Sequence, residues 1–269
     1  MTQRTKPEPR AQIVVTIGPS AWDEEHLGAF IDAGADVVRV NMSWSDHETN
    51  GAAIERARKV AEEHGVRIPI VLDLSGPREQ EGSEHHFGGG EVITEKDIKD
   101  IAFGAEIGVE YIALSYVGST EDITRLREHL AEAGSSAKVI AKIERKEAVE
   151  KAEEIIEAAD AVMIARGDLG NEVPLEQIPF IERNLIGAAR VAGKPVIVAT
   201  ELMSSMIDND RPARADVTDV AYAIVSGADA VMLSNETATG EYPVETVQMM
   251  DKILLEAEKH REAQDWHLL

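Results

Sequence analysis

The chain has 269 residues, a length that suits one large domain such as a (β/α)₈ barrel. Its 27 Lys and Arg against 50 Asp and Glu give a formal net charge of −23, which argues against nucleic acid or an anionic membrane as a partner. The lack of cysteine excludes disulfides, thiolate metal sites and cysteine nucleophiles. Since no apolar run approaches the roughly 18 residues of a membrane span, and the first ten residues do not resemble a signal peptide, we expect a soluble, cytoplasmic protein.

Two kinds of apolar segment alternate along the chain. Short runs rich in Val, Ile and Ala predict eight strands, which begin at Ile13, Ala35, Ile68, Val109, Lys138, Ala161, Pro195 and Ala228. Longer amphipathic stretches predict helices between them, among them 46–64, 119–132, 146–158 and 243–262. Near-continuous apolar strands separated by helices are typical of a parallel sheet covered by helices. The expected fold is α/β, a single (β/α)₈ TIM barrel over residues 1–269, with an open doubly wound sheet as the alternative.

One segment interrupts this alternation, between the third predicted strand and the helix that follows it. It is polar and contains three consecutive glycines, Gly88–Gly90, which predicts a flexible loop over residues 78–93. In a barrel this loop lies on the face that carries active sites. His85 and His86 suggest a metal site there, but neighbouring residues of a strand point in opposite directions, so an exposed loop is the preferred interpretation.

Polar side chains follow most of the predicted strands, at the end where barrel enzymes carry their active sites. Arg39, Asn41 and Ser43 lie two positions apart and therefore project from one face, and Lys142 and Glu144 are related in the same way. The other strand-end groups are Asp73, Arg166, Gly167, Asp168, Thr200, Ser234, Asn235, Glu236 and Thr237. So many polar strand ends predict a shared site, although charges that merely pair to cap the barrel are the alternative.

Glu144 and Asp168 follow adjacent strands and form a pair of carboxylates. Two carboxylates with open positions suit Mg²⁺ or Mn²⁺, hard cations that also bind water and substrate oxygens. Lys142 supplies a positive charge for an oxyanion, and the turn at 166–170 presents N–H groups that suit a carboxylate or phosphate. Together these groups indicate a site that binds a 2-oxo acid and stabilises its enolate.

Several longer motifs agree in sequence and spacing with one known family. In chain order they are IVVTIGPS at 13–20, RVNMS at 39–43, LDLSGP at 72–77, KIE at 142–144, ARGDLG at 165–170, RPAR at 211–214 and LSNETATGEYP at 233–243. From about Ala11 to Glu258 the chain resembles pyruvate kinase. The resemblance implies a (β/α)₈ barrel that binds phosphoenolpyruvate or pyruvate through a divalent cation, with K⁺ as a second cofactor.

The resemblance also implies a role for each matching residue. Glu144 and Asp168 become the ligands of the divalent cation, and Lys142 becomes the cation beside the transferred phosphoryl group and the enolate oxygen. The backbone amides of Gly167 and Asp168 and the hydroxyl of Thr200 receive the substrate carboxylate. Thr200 also lies near the face where the enolate is protonated.

Two further assignments follow from the same resemblance. Arg39 matches an arginine that contacts phosphate. The residues that match the K⁺ shell are Asn41, Ser43, Asp73 and, through its carbonyl, Leu74. The expected partner is a small-molecule 2-oxo acid, and a homo-oligomer is open because barrels often pair through their outer helices.

The departures from the family pattern fall on the nucleotide side. The loop at 78–93 stands where the family inserts a lid domain, and we expect no regulatory C-terminal domain in this chain. Trp44 replaces a histidine near the nucleotide, and Gln80 replaces a phosphate-facing arginine that Arg78 partly substitutes. Gly118 replaces another arginine. Losing one such arginine reduces phosphoryl transfer by on the order of 10³-fold or more.

These observations leave three functional hypotheses. The first is a metal-dependent enzyme that forms or protonates the enolate of a 2-oxo acid, by aldol, decarboxylation or enolisation chemistry. The alternative is a minimal pyruvate kinase that transfers phosphate from phosphoenolpyruvate to ADP. The third is a non-catalytic remnant that binds a metabolite.

Overall fold

The computed structural model describes residues 9–81 and 84–262 of the chain. Its strands are β1 (Gln12–Thr16), β2 (Ala35–Asn41), β3 (Ile70–Asp73), β4 (Arg78–Glu81), β5 (Glu84–Phe87), β6 (Tyr111–Leu114), β7 (Lys138–Ile143), β8 (Ala161–Ala165), β9 (Val196–Ala199) and β10 (Ala230–Leu233). Eight of them are parallel and close into a barrel in the order β1-β10-β9-β8-β7-β6-β3-β2. The closed barrel confirms the expected (β/α)₈ fold over the doubly wound alternative. Each barrel strand begins within two residues of its predicted start.

Helices follow the barrel strands and cover them from outside. They are α1 (Glu24–Ala33), α2 (His47–Glu63), α3 (Glu95–Ile107), α4 (Thr120–Glu132), α5 (Lys146–Glu150), α6 (Ala152–Ala158), α7 (Arg166–Glu172), α8 (Ile178–Val191), α9 (Arg214–Ser226), α10 (Asn235–Ala238) and α11 (Pro243–Glu262). The single helix expected over 146–158 is divided into α5 and α6, because Lys151 between them leaves the helical region with φ −111° and ψ 20°. Within the described ranges, no helix has the length and apolar character needed to cross a bilayer.

Side-chain caps fix where the helices near the upper end of the barrel begin. The Asp46 carboxylate accepts the Thr49 N–H at 2.8 Å and starts α2. Thr94 and Asp97 form a capping box that starts α3. Buried Asp97 also accepts the Gly76 N–H at 3.2 Å, so this cap holds the loop that leaves β3.

The barrel interior has an apolar lower tier and a polar upper tier. The lower tier is the buried cluster of Val14, Val37, Val71, Ala113, Ile140, Ala161, Met163, Ile197, Ala199, Ala230 and Met232. Since side chains two positions apart on a strand share a face, the next interior positions carry the polar groups Thr16, Arg39, Asp73, Ser115 and Lys142. A larger apolar cluster fills the space between strands and helices. This alternation places the polar groups at the carboxyl ends of the strands.

The segment after β3 differs from the irregular loop expected over 78–93. β4 and β5 pair antiparallel, with Arg78 opposite Phe87, and the Gly88 N–H closes the base of the hairpin on the Pro77 carbonyl at 2.6 Å. The cross-strand pairing satisfies backbone groups that an irregular loop leaves to water. Residues 82–83 and the side chains of His85 and His86 lie outside the described part of the chain, as does the metal reading of those histidines.

Candidate active site

A chain of buried charges crosses the upper tier of the barrel. Nε and Nη2 of Arg39 on β2 each lie 2.7 Å from Oδ2 of Asp73 on β3. Nη1 of Arg39 donates to the Thr16 hydroxyl at 3.0 Å. Burial by itself raises the pKa of Asp73, but Lys142 and Arg39 outweigh it and hold that pKa below its ordinary value. Asp73 therefore stays ionised and orients both cations.

Lys142 on β7 lies at the centre of this chain. Its Nζ is 3.3 Å from Asp73 Oδ1 and 3.3 Å from Glu144 Oε2, and it donates to the Ser115 hydroxyl at 2.7 Å. Ser115 in turn donates to the Leu74 carbonyl at 2.6 Å. Burial by itself lowers the pKa of Lys142, but the nearby Asp73 and Glu144 carboxylates raise it above its ordinary value. The ammonium is thus charged and fixed in position.

Glu144 retains one carboxylate oxygen without a hydrogen bond. Its Oε1 accepts the Tyr116 N–H at 2.6 Å, whereas the buried Oε2 has no hydrogen-bond partner among the described residues and only Lys142 nearby. The pKa of Glu144 is raised to about 7, because burial and then the negative charge of Asp168 outweigh the opposing effect of the Lys142 ammonium. A buried, unpartnered carboxylate oxygen close to a second carboxylate suits a divalent cation, which would neutralise both.

The described residues contain no group of three or more His, Cys, Asp or Glu arranged to hold a metal ion. A cation at Glu144 and Asp168 would therefore complete its shell with water and substrate oxygens. Such open coordination is typical of Mg²⁺ and Mn²⁺ sites that act on phosphates.

A cavity of about 590 Å³ opens above these charges at the carboxyl ends of the strands. Its floor includes Arg39, Asp73, Lys142, Asp168 and Thr200. Its wall includes Gly18, Pro19, Trp22, Asn41, Trp44, Arg78, Ser234 and Asn235. Arg39, Asn41, Asp73, Lys142, Asp168 and Thr200 thus line one common space, as expected. Of the other expected site residues, Ser43, Leu74, Glu144 and Gly167 lie beside the cavity without lining it. Its volume lies in the range of small-molecule sites.

Thr200, directly after β9, has a strained backbone and a fixed hydroxyl. Its φ of +69° and that of Glu201, +56°, are left-handed values that a β-branched residue rarely adopts. The Thr200 hydroxyl accepts the Gly167 N–H at 2.7 Å, and buried Arg166 donates to the Thr200 carbonyl at 2.8 Å. The structure therefore brings Gly167 and Thr200 together, as expected. The two groups that were expected to bind the substrate carboxylate are hydrogen-bonded to each other. Arg166, ion-paired with Glu182 at 3.1 Å, acts as a brace for the strand end.

The four residues matched to the K⁺ shell lie at the ends of two neighbouring strands, with Asn41 and Asp73 as the last residues of β2 and β3 and Ser43 and Leu74 just after them. Asn41 and Asp73 are register partners on β2 and β3, and the Asn41 side-chain oxygen accepts the Ser43 N–H at 3.1 Å. The Ser43 hydroxyl is buried without a hydrogen-bond partner in the described structure. An orphaned hydroxyl among carbonyl, amide and carboxylate oxygens fits a hard monovalent cation. Asp73 is already engaged by Arg39 and Lys142, and the Leu74 carbonyl by Ser115.

Two residues near the cavity, Ser115 and Tyr116, were missed by the motif-based reasoning. Ser115 bridges Lys142 to the backbone, and its place at the end of β6, two positions after Ala113, is the signal that could have found it. Tyr116 has a φ of +58°, and its buried hydroxyl lacks a hydrogen-bond partner in the described structure. Burial, followed by the charges of Asp168 and Glu144, raises the pKa of the Tyr116 phenol.

Comparison with known proteins agrees with this geometry. The family model described as "Pyruvate kinase, barrel domain" matches residues 8–89 and 88–247. The chain belongs to the pyruvate kinase family. It is 34% identical to the pyruvate kinase of Mycobacterium intracellulare, with 94% of this chain and 71% of that protein covered. It is 33% identical to the pyruvate kinase of Dictyostelium discoideum, with 97% of this chain and 68% of that protein covered. It is 35% identical to the pyruvate kinase of Thermococcus litoralis, with 96% of this chain and 71% of that protein covered.

The match to the pyruvate kinase barrel is divided at one place. Its two parts meet at residues 88–89, within the glycine run that follows β5. The alignment with the Mycobacterium intracellulare protein extends over 336 positions, more than the 269 residues of this chain. That relative therefore contains additional residues within the aligned region.

Gly118, where the pyruvate kinase pattern has an arginine, lies against another arginine of this chain. A Cβ built at Gly118 would lie 2.8 Å from Nη1 of Arg145, too close for any side chain unless Arg145 moves. The Arg145 guanidinium lies 3.9 Å from the Phe87 ring centre and donates to the Tyr116 carbonyl at 3.3 Å. Arg145 thus occupies the space beside Gly118 and anchors the second strand of the hairpin.

Proposed function

We propose that this chain catalyses phosphoryl transfer of the pyruvate kinase type, between phosphoenolpyruvate and a nucleoside diphosphate. The observation that carries the proposal is the charged Lys142, held 3.3 Å from both Asp73 and Glu144 beneath a cavity that Asp168 and Thr200 also line. The relatives named above are pyruvate kinases, which favours this alternative over the aldolase or decarboxylase hypothesis. The lyase chemistry first preferred gains no support from them.

The two carboxylates are proposed to hold a divalent cation and the β2–β3 oxygens a monovalent one. Glu144 and Asp168 fit Mg²⁺ or Mn²⁺ because Glu144 Oε2 is buried and unpartnered among the described residues. Asn41, Ser43, Asp73 and Leu74 offer the oxygens that K⁺ requires, and the orphaned Ser43 hydroxyl fits such a role. When bound, these cations neutralise phosphate and carboxylate charge.

The chain's own residues perform the remaining tasks. The amides of Gly167 and Asp168 and the Thr200 hydroxyl orient the substrate carboxylate, which requires the Thr200–Gly167 bond to open. In the reaction the bond from phosphorus to the enol oxygen breaks, and a bond to the terminal oxygen of the nucleoside diphosphate forms. Lys142 stabilises the transferred group and the enolate oxygen that remains. The enolate then takes a proton at its terminal carbon, on the side near Thr200, and becomes pyruvate.

Arg39 and Arg78 are proposed to provide the cationic contacts to phosphate. Arg39 lines the cavity, and its Nε and Nη2 also hold the Asp73 carboxylate. Arg78 also lines the cavity, and its buried Nε has no hydrogen-bond partner in the described structure. An unpartnered guanidinium nitrogen at the mouth of the cavity suits an anionic ligand. Arg78 would thereby replace the family's phosphate-facing arginine, at whose position this chain has Gln80.

The β4–β5 hairpin is proposed to stand where the family inserts its lid domain. The division of the family match at residues 88–89 supports this, because it falls directly after β5. The longer alignments of the relatives support it as well. A hairpin shields less of the cavity than a domain, so we expect slow hydrolysis of phosphoenolpyruvate by water to accompany transfer.

The test is turnover of phosphoenolpyruvate with ADP, Mg²⁺ and K⁺, followed through lactate dehydrogenase as pyruvate forms. We expect ADP-dependent pyruvate formation that stops on addition of a chelator and returns with Mg²⁺ or Mn²⁺. The Lys142→Met variant should lose at least about 10³-fold in rate. Release of pyruvate at the same rate without ADP, or the absence of turnover, would contradict the proposal.

A second candidate is enolisation of pyruvate without a nucleotide. It is favoured by Gly118, since the family's arginine on the nucleotide side is missing while Lys142, Glu144 and Asp168 are all present. It predicts exchange of the pyruvate methyl protons with D₂O, followed by NMR, in the presence of Mg²⁺ and without ADP. If exchange requires a nucleotide, the first function stands alone.

A further inference from the structure

Tyr116, the second residue after β6, has a strained backbone that two neighbouring side chains hold in place. Its φ of +58° is left-handed, a value that residues other than glycine rarely adopt. Its N–H donates to Glu144 Oε1 at 2.6 Å, and its carbonyl accepts from Arg145 Nη1 at 3.3 Å. Strain of this kind persists only where the surroundings enforce it, and it clusters at functional sites. Tyr116 is thus tied directly to one of the two proposed cation ligands.

The Tyr116 ring is enclosed by the β4–β5 hairpin and by the loop that leaves β3. It meets Phe87 on β5 with the ring centres 5.6 Å apart, and a Cβ added at Gly76 would lie 2.8 Å from its Cδ2. β5 also packs against α7, the helix that carries Asp168. The Tyr116 side chain is therefore buried close to both carboxylates of the cation site.

The Tyr116 hydroxyl is a buried donor without an acceptor. It has no hydrogen-bond partner among the described residues. Burial raises the pKa of the phenol most, the charges of Asp168 and Glu144 raise it further, and Arg78 opposes them. The hydroxyl therefore carries its proton, and a guanidinium, which only donates, offers that proton no acceptor. A buried hydroxyl in this state lowers the stability of the folded chain.

Asp168 offers the matching acceptor. It lines the cavity, and its carboxylate has no hydrogen bond or ion pair within the described part of the chain. Carboxylates that bind a metal ion are usually held by a hydrogen bond as well, which fixes their orientation. Glu144 already has such a bond from the Tyr116 N–H, with its Oε2 left over for a cation. Asp168 lacks one, and the nearby phenol is a donor in need of an acceptor.

We infer that the Tyr116 hydroxyl donates to the Asp168 carboxylate when a divalent cation binds at Glu144 and Asp168, and so positions Asp168 for that cation. Tyr116 is a positioning residue, because it acts through Asp168. The inference rests on the cation site of the proposed function and adds a residue that sets its affinity. Without a cation the two like charges repel each other, whereas a bound cation draws Asp168 toward Glu144 and the phenol.

The test is binding of Mn²⁺ to the full chain after treatment with a chelator, measured from the electron paramagnetic resonance signal of free Mn²⁺. Tyr116→Phe keeps the ring and removes only the hydroxyl, so it should weaken Mn²⁺ binding by about 10- to 100-fold. The Mn²⁺ concentration that gives half-maximal pyruvate formation should rise by a similar factor. At saturating Mn²⁺ the KM for phosphoenolpyruvate should stay unchanged.

Two comparisons separate this role from a structural one. Tyr111 lies on the same strand at the opposite end of the barrel, and Tyr111→Phe should leave Mn²⁺ binding unchanged. Urea unfolding of the cation-free protein should show Tyr116→Phe to be at least as stable as the unmodified chain, because the variant no longer buries an unpaired hydroxyl. A hydroxyl with only a structural role would make that variant less stable.

The outcomes for the inference and for the proposed function are distinct. Unchanged Mn²⁺ affinity in Tyr116→Phe, with ADP-dependent turnover intact, would overturn the inference and leave the proposed function standing. Mn²⁺ binding that depends on the Tyr116 hydroxyl in a protein without phosphoryl transfer would support the inference and overturn the proposed function. An unmodified chain that binds no Mn²⁺ would overturn both.

Discussion

Replacement of Arg39 by Met should destabilise the barrel strongly, because it removes a buried cation from a buried carboxylate. Asp73, the partner, is 1% exposed and receives two Arg39 nitrogens at 2.7 Å. After the substitution only Lys142, at 3.3 Å, remains to balance Asp73. Breaking a buried pair from one side costs about 3–5 kcal/mol in the free energy of unfolding.

The control for Arg39→Met is Lys59→Met. Lys59 lies 2.6 Å from Glu24, so its ion pair is as short, but both side chains are more than half exposed. Water and salt screen that pair, and its loss should leave the unfolding free energy unchanged within error. The two variants therefore differ in the burial of the pair and not in its length.

Urea unfolding followed by circular dichroism measures both variants. Adding Asp73→Asn to Arg39→Met removes the uncompensated charge, so the double variant should lose less stability than the sum of the single variants by about 1–3 kcal/mol. If Arg39→Met costs no more than Lys59→Met, or the two changes are additive, the buried pair does not hold the upper tier together. Either result would refute the reasoning from burial.

Three further predictions concern the strand ends. Thr200→Gly and Thr200→Ala both delete the hydroxyl, but glycine accepts the φ of +69°, so thermal melts should show the glycine variant to be the more stable by about 1 kcal/mol. Gly76→Ala should cost about 1–3 kcal/mol more than Gly65→Ala, since both glycines have left-handed φ but only at Gly76 would a Cβ meet Tyr116, at 2.8 Å. Lys142→Met also removes a buried cation and should lower the free energy of unfolding, as Arg39→Met does. Circular dichroism should still show a folded barrel, while pyruvate formation falls by at least about 10³-fold; retained activity would remove Lys142 from the mechanism.

The strands could be predicted from their short apolar runs, and most of the polar strand ends from the period of two that places alternate residues on one face. Val37, Arg39 and Asn41 lie two positions apart and so share one face of β2. The change from an apolar to a charged interior can therefore be seen in the sequence. The same rule, applied to Ala113, points to Ser115. Eight parallel strands with their helices also fit an open doubly wound sheet, and the resemblance to pyruvate kinase favoured the closed barrel.

Other features depend on contacts that a single segment does not encode. The pairing of Thr200 with Gly167 joins the end of β9 to α7, which follows the neighbouring strand β8. The place of Arg145 against Gly118 and Phe87 requires two loops to meet. The left-handed backbone at Tyr116 is imposed by its surroundings, since tyrosine has no intrinsic preference for it. Such features follow from the assembled barrel and not from local propensity.

On β2, β3 and β7 the barrel interior changes from apolar to charged within two residues, or roughly 7 Å, and this change also limits where molecules can pass. Among the described residues, the inward-facing strand positions below Arg39, Asp73 and Lys142 are occupied by Val, Ile, Ala and Met. The cavity opens beside Trp44 and Arg78, at the end of the barrel away from this apolar tier. A molecule bound at this opening then controls both when substrates enter the cavity and when products leave it.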